Sequence, residues 1–245
     1  AILSDLHIGF EAAAHDAGNA LPERSGPAMR QAWQQVLDRR PEQTIIAGDV
    51  FEAQAPDAGA LELMRELLDM TPASCGVTIL PGNHDRPLPG FAEFFAGAHA
   101  QTAERVVRPN LVVAHGDKLA DIGRPPLLVI GHQHPAVILR DRLQAAKMIC
   151  FVAVEPAALG FPVVILPPFS PTPLGSNLLA RRKWAVDLPA PGPQWVRSAG
   201  IGHEQVLDVG PLSGRVDAAQ KARCGGSFDT LMQSTAPHRK GRAIT

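Results

Sequence analysis

Carboxylates, imidazoles and a carboxamide recur in five short blocks along the chain: Ser4-Asp5-Leu6-His7, Gly48-Asp49, Gly82-Asn83-His84-Asp85, His115-Gly116-Asp117 and Gly131-His132-Gln133-His134. Oxygen and nitrogen donors without a thiolate suit borderline-to-hard divalent cations such as Mn²⁺, Fe²⁺ or Zn²⁺. Asp5 and His7 are spaced i and i+2, as are His132 and His134, which puts each pair on one side of an extended segment. The glycines beside Asp49, Asn83, His115 and His132 suit tight turns and close backbone approach. The donors outnumber what one ion needs, so two ions are expected. A lone Gly-Asp is ordinarily a turn and a lone histidine ordinarily structural. Five blocks in series, each directly behind an apolar run, argue for one shared site.

The elements that must position these blocks are legible as apolar runs. Short buried strands are expected at residues 1–3, 44–47, 77–80, 111–114 and 127–130, each with a polar block at its C-terminal end. Open α/β sheets bind ligands there, so the blocks converge. Ser25-Gly26-Pro27 starts a helix with Met29, Trp33, Val36 and Leu37 on one face. Asp57 caps a second helix through about Met70, with Leu61, Met64 and Leu68 inward. Apolar runs at 136–139, 149–154 and 163–166 make the second half mostly strand. Strand and helix alternating first, then strands alone, predicts two sheets packed together and flanked by helices.

The chain has 245 residues, 45% hydrophobic and 19% charged, which excludes whole-chain disorder. No run approaches the roughly 18 apolar residues that cross a bilayer, and the N-terminus lacks a signal-peptide pattern. Cys75, Cys150 and Cys224 are scattered, which argues for a reducing, cytoplasmic setting and against a disulfide framework or a zinc knuckle. Residues 1–180 carry 13 Lys and Arg against 19 Asp and Glu; residues 181–245 carry 10 against 5. A basic tail behind an acidic body can touch phosphates or can simply be solvated. No sustained period is visible beyond about 185, and residues 210–245 are expected to be partly disordered.

The series D-x-H, G-D, G-N-H-D/E, H and G-H-x-H resembles that of the calcineurin-like metallophosphoesterases, in order over about residues 3–134. The resemblance implies a four-layer α/β/β/α sandwich with two mixed β-sheets over residues 1–180, leaving 181–245 as a basic extension. It also implies a dinuclear centre in which Asp5, His7, Asp49 and His134 hold one ion. Asp49, Asn83, His115 and His132 would hold the other, with Asp49 bridging. Mn²⁺ is expected, with Fe²⁺, Zn²⁺ and Ni²⁺ as alternatives. Ile8-Gly9-Phe10-Glu11, GHQHPAVILRD and VVILPPFSP are similar to the branch containing archaeal metallophosphoesterases and the bacterial ligase-associated DNA-damage-response endonuclease. That likeness alone carries the suggestion of DNA repair.

The expected activity is phosphodiester hydrolysis, with DNA as a candidate substrate, by attack of a hydroxide shared between two ions about 3.5–4 Å apart. His84, not assigned to an ion, is the expected general acid, and Glu52 is its candidate orienting partner by resemblance. Asp85 is read as securing the turn that presents His84, and Asp117 as doing the same behind His115. Arg86 is a candidate phosphate ligand, with a surface salt bridge the competing reading. Phe91, Phe94 and Phe95 form either a lip for base stacking or, more ordinarily, core or subunit contact, which leaves a homodimer open. No inserted cap separates the blocks, which suits a polymer. The alternatives are a phosphomonoesterase or nucleotidase with the same site, and a metal-free scaffold, disfavoured because no ligand is missing.

Overall fold

The computed structural model describes residues 1–177 apart from 20, 23, 53–55, 97–99, 120, 141–144, 155–158 and 173–174, together with two strands at 196–201 and 206–211. The first sheet is parallel throughout, in the order β1 (Ile2–Leu3), β2 (Gln43–Ala47), β3 (Gly76–Leu80), β4 (Ala100–Thr102). Its crossovers carry α1 (Phe10–Asp16), α2 (Ser25–Leu37), α3 (Ala58–Asp69) and α4 (Phe91–Phe95). The second sheet is mixed: β5 (Val106–Arg108), β6 (Leu111–Ala114), β7 (Leu128–Ile130), β8 (Pro135–Arg140), β9 (Ala145–Val154), β10 (Val163–Ile165) and β11 (Ser176–Asn177) lie in the order β11-β8-β9-β10-β7-β6-β5. Two strands from beyond residue 181 join it. β12 (Val196–Ile201) pairs antiparallel with β9, and β13 (Val206–Pro211) pairs with β12.

The layering follows from side chains alternating across each strand. In β2, Ile46 faces the helices among Met29, Trp33, Met64 and Leu67, while Ile45 and Ala47 face the second sheet with Leu80, Val113 and Val129. β7 divides the same way: Val129 enters the inter-sheet layer, and Leu128 and Ile130 pack on the far face with Val137, Val152 and Ile165. Strands buried on both faces read as continuous apolar runs, which is why the five short runs were visible in the sequence. Among the described residues the far face is covered by Leu119, Ile122, Leu159 and Phe161.

Two helices match the expected periodicity. α2 buries Met29, Trp33 and Leu37, with Val36 half-buried, and the Trp33 indole donates to Thr71 Oγ1 at 3.1 Å. α3 buries Ala60, Met64, Leu67 and Leu68; at its N-cap Asp57 Oδ1 accepts from the Ala60 amide at 2.7 Å, a contact worth about 1 kcal/mol. α1 buries no side chain, so it has no apolar face that a sequence pattern could reveal. Glu11, on α1, accepts from the backbone amides of Arg24 and Ser25 and ties the helix to the start of α2.

Candidate metal centre

The polar blocks sit on loops that stay hydrogen-bonded to one another after the strands end. The Asp5 amide donates to the Gly48 carbonyl, His7 to Asp49 and Ile8 to Val50, at 2.9–3.0 Å. The first two loops thus run on as a pair beyond β1 and β2. The backbone there is not the extended segment expected from i, i+2 spacing. Asp5, His7, Asp49, His132 and His134 all adopt left-handed backbone, with φ between 42° and 63°. Such a conformation costs about 1–3 kcal/mol for a non-glycine residue and marks sites where the surroundings over-determine it. Asp5 and His7 still reach one centre, by two backbone kinks instead of a pleat.

Close approach is built from glycine at three places, one of them Gly48, where a Cβ would overlap the His115 ring. A Cβ on Gly82 would overlap the Asp49 carboxylate and amide, and one on Gly131 would overlap Ser4 and the Asp5 carboxylate. The Asp85 carboxylate is fully buried and accepts from the amides of Val50, Phe51 and Gly82, clasping the second loop to the third. It has no place among the donors. Its burial raises its pKa, against the pull of those three amides. The segment Leu166–Ser170 straps the sheets together: Leu166 donates to Ile130, Phe169 to Ser4 and Ser170 to Asp5.

The donors converge in two groups. In one, Asp5 Oδ1 lies 3.2 Å from His134 Nε2, His134 Nε2 lies 3.1 Å from His7 Nε2, and His7 Nε2 lies 3.9 Å from Asp49 Oδ2. In the other, His115 Nε2 lies 3.1 Å from Asn83 Oδ1, 3.2 Å from His132 Nδ1 and 3.3 Å from Asp49 Oδ2. Asp49 Oδ2 belongs to both, while its Oδ1 accepts the His84 amide at 3.0 Å. Donor separations near 3.1–3.3 Å match the edges of a coordination polyhedron with bonds of about 2.0–2.2 Å. His115 Nδ1 donates to the Ala47 carbonyl at 2.9 Å, so its Nε2 turns toward three acceptors. Lone pairs facing one another in a buried pocket call for a cation, and the donor set fits two divalent ions.

Titration reflects this crowding. Burial opposes a charged His115, but its bond to Asp49, the charges of Asp49 and Asp5, and the Ala47 carbonyl outweigh it and push the imidazole up to about 9. Burial likewise opposes ionised Asp49, yet the bond and charge of His115, with the His84 amide, hold it well below the usual carboxylate range. His132 is lowered by burial and by His115. His7 is raised despite burial, through Glu52 and the Asp5 and Asp49 charges, and Glu52 is lowered by the same bond.

Glu52 departs from expectation. Its carboxylate lies 2.5 Å from His7 Nδ1, whereas His84 Nδ1 lies 2.7 Å from the Glu52 main-chain carbonyl. The side chain therefore does not orient His84. Spacing along the chain could not separate these contacts, because one residue makes both. Arg86 is bonded to Asp117, with Glu104 3.9 Å from its Nε. That pairing joins the loop after Asn83 to the loop after His115. Phe91 and Phe95 are buried and Phe94 packs on the same core, so the three are not a free stacking lip. Cys75 and Cys150 are buried and form no disulfide, and His15 is exposed on α1. His99, His203, His238, Cys224 and the basic side chains of 181–245 lie outside the described residues.

The calcineurin-like phosphoesterase family model matches residues 1–142, and the chain belongs to that family, whose members are hydrolases of phosphate esters. No curated protein matches the sequence. Among solved structures, the nuclease MPE of Pseudomonas putida superposes with a TM-score of 0.58 at 22% identity, over 85% of this chain and 86% of that one, a likeness of fold. AQ665 from Aquifex aeolicus, a protein of unknown function, gives a TM-score of 0.37 at 17% identity over 59% of this chain and 81% of that one. No helix among the described residues is long and apolar enough to cross a membrane.

Proposed function

We propose that the protein is a two-metal phosphodiesterase acting on nucleic acid, with Mn²⁺ as the preferred ion. One observation carries the reading: a single oxygen, Asp49 Oδ2, is shared by two donor groups that each fit a divalent ion. Asp5, His7, Asp49 and His134 would hold one ion; Asp49, Asn83, His115 and His132 would hold the other. A pair of divalent ions at such a site lowers the pKa of water and neutralises charge on phosphate oxygens. The remaining steps belong to the chain. His84 donates a hydrogen bond from Nδ1 to the Glu52 carbonyl, so the imidazolium form passes its Nε2 proton to the departing alkoxide and keeps the hydrogen on Nδ1. Arg86, aligned by Asp117, supports a role in holding a flanking phosphate. The solved neighbour of similar fold is described as a nuclease, in keeping with a polymeric substrate.

The test is turnover on bis-p-nitrophenyl phosphate, p-nitrophenyl phosphate, cyclic nucleotides and single- and double-stranded DNA and RNA, with Mn²⁺, Zn²⁺, Ni²⁺ and Mg²⁺ compared. Cleavage of diester and polynucleotide in preference to monoester is expected. Preference for the monoester would replace this reading with a phosphomonoesterase.

A further inference from the structure

Glu52 stands between two histidines with different tasks. Its Oε2 faces His7 Nδ1 at 2.5 Å and its carbonyl oxygen faces His84 Nδ1 at 2.7 Å. Both nitrogens meet acceptors, so each ring carries hydrogen at Nδ1, and His7 presents its Nε2 to the centre, 3.1 Å from His134 Nε2. Carboxylate–imidazole pairs of this kind fix ring orientation and raise donor strength toward a metal. The donor atoms of His7, Glu52 and His84 also lie within 4.8 Å of one another, but the 2.5 Å contact between His7 and Glu52 is that of a hydrogen bond. Donors sharing an ion with bonds of about 2.0–2.2 Å stand roughly 3 Å or more apart, which the His7–Glu52 contact does not allow.

We propose that the Glu52 side chain is a positioning residue for the ion held by Asp5, His7, Asp49 and His134, and that the Glu52 main chain alone orients His84. The backbone has its own support. The Glu52 amide donates to the Ile8 carbonyl at 3.0 Å, and the preceding Phe51 amide is held by the buried Asp85 carboxylate at 3.1 Å. Truncating the side chain therefore leaves the carbonyl in place for His84. The loss falls on His7, whose Nδ1 is left without its charged partner in a ring only 3% exposed.

This inference rests on His84 serving as the acid, but its metal arm does not. Metal-stripped wild type, Glu52→Ala, Glu52→Gln and His84→Ala are titrated with Mn²⁺ by calorimetry. Turnover at saturating Mn²⁺ is then compared on a p-nitrophenyl diester and on the phenyl diester, whose leaving group needs more protonation. Glu52→Ala should weaken one of two Mn²⁺ sites about 10–100-fold and spare the other. Its ratio of the two turnovers should match wild type. The near-isosteric Glu52→Gln, which keeps an acceptor oxygen, should show a smaller loss at the same site and carries the test should the alanine variant not fold. Unchanged binding at both sites would overturn the proposal, as would a turnover ratio that falls as it does in His84→Ala. A wild type without diesterase activity would sink the functional reading while calorimetry still decided the role of Glu52.

Discussion

The backbone amide of His132 donates to both carboxylate oxygens of Asp5, at 3.1 and 3.0 Å, across 127 residues of sequence. Asp5 thus fastens the loop after β7 to the loop after β1 before any ion arrives. Hydrogen bonds to a charged group contribute about 1.5–3 kcal/mol each. Asp5→Ala should therefore lower the stability of the metal-free protein by about 2–3 kcal/mol, as well as removing an ion ligand. Denaturant unfolding with chelator present separates the two effects. An unchanged midpoint would show that the pair does not hold the loops.

Gly82 and Gly90 offer a contrast. A Cβ at Gly82 meets the Asp49 carboxylate and amide, whereas Gly90, at φ 75°, opens onto free space. Gly90→Ala should cost only the backbone strain, about 1–2 kcal/mol, and keep full metal content. Gly82→Ala should displace Asp49 and lose bound Mn²⁺ in metal analysis, with overpacking costing about 1–3 kcal/mol or more. Retention of both ions by Gly82→Ala would contradict the shared-oxygen geometry.

In the metal-free protein a proton on His115 stands where a cation would be bonded. The folded-state value of about 9 lies above the ordinary 6.5, so the stability it lends is complete below about pH 6.5 and is lost as pH rises through about 9. An ion needs the neutral ring, so its uptake expels the proton. Apparent Mn²⁺ affinity should rise with pH toward 9, and His7, also raised, should add to the release. Calorimetry at pH 7 in buffers of different ionisation enthalpy measures it. No net proton release would refute the pairing of His115 with Asp49.

His84→Ala should keep both ions, because no donor in either group is removed. Turnover on poorly activated esters should fall about 10²–10⁴-fold, and far less on p-nitrophenyl esters, whose leaving group needs little protonation. Equal losses on both substrates would reject His84 as the acid.

The strands carrying the site were legible because strands buried on both faces are written as uninterrupted apolar runs, and the chemistry follows each run directly. α2 and α3 were legible because each has one apolar face. α1, with no buried residue, left no such pattern; α4 has only five residues, and β4 (Ala-Gln-Thr), β5 (Val-Val-Arg) and β11 (Ser-Asn) contain polar residues that break any apolar run. The split role of Glu52 was hidden for another reason: a backbone carbonyl and a side chain share one letter in the sequence. Nor did spacing reveal the left-handed backbone at Asp5 and His7, since a pleat and a pair of kinks can deliver the same two side chains to one point.

That backbone has an energetic corollary. At Asp5, His7, Asp49, His132 and His134, glycine would adopt the observed conformation with no steric penalty. Asp5 and Asp49 offset part of that strain through the His132 and His84 amides that their carboxylates hold, so glycine at either position would release the backbone and lose the loop contact together. An aspartate or histidine at each of the five positions carries a main-chain strain that the contacts of its side chain must offset.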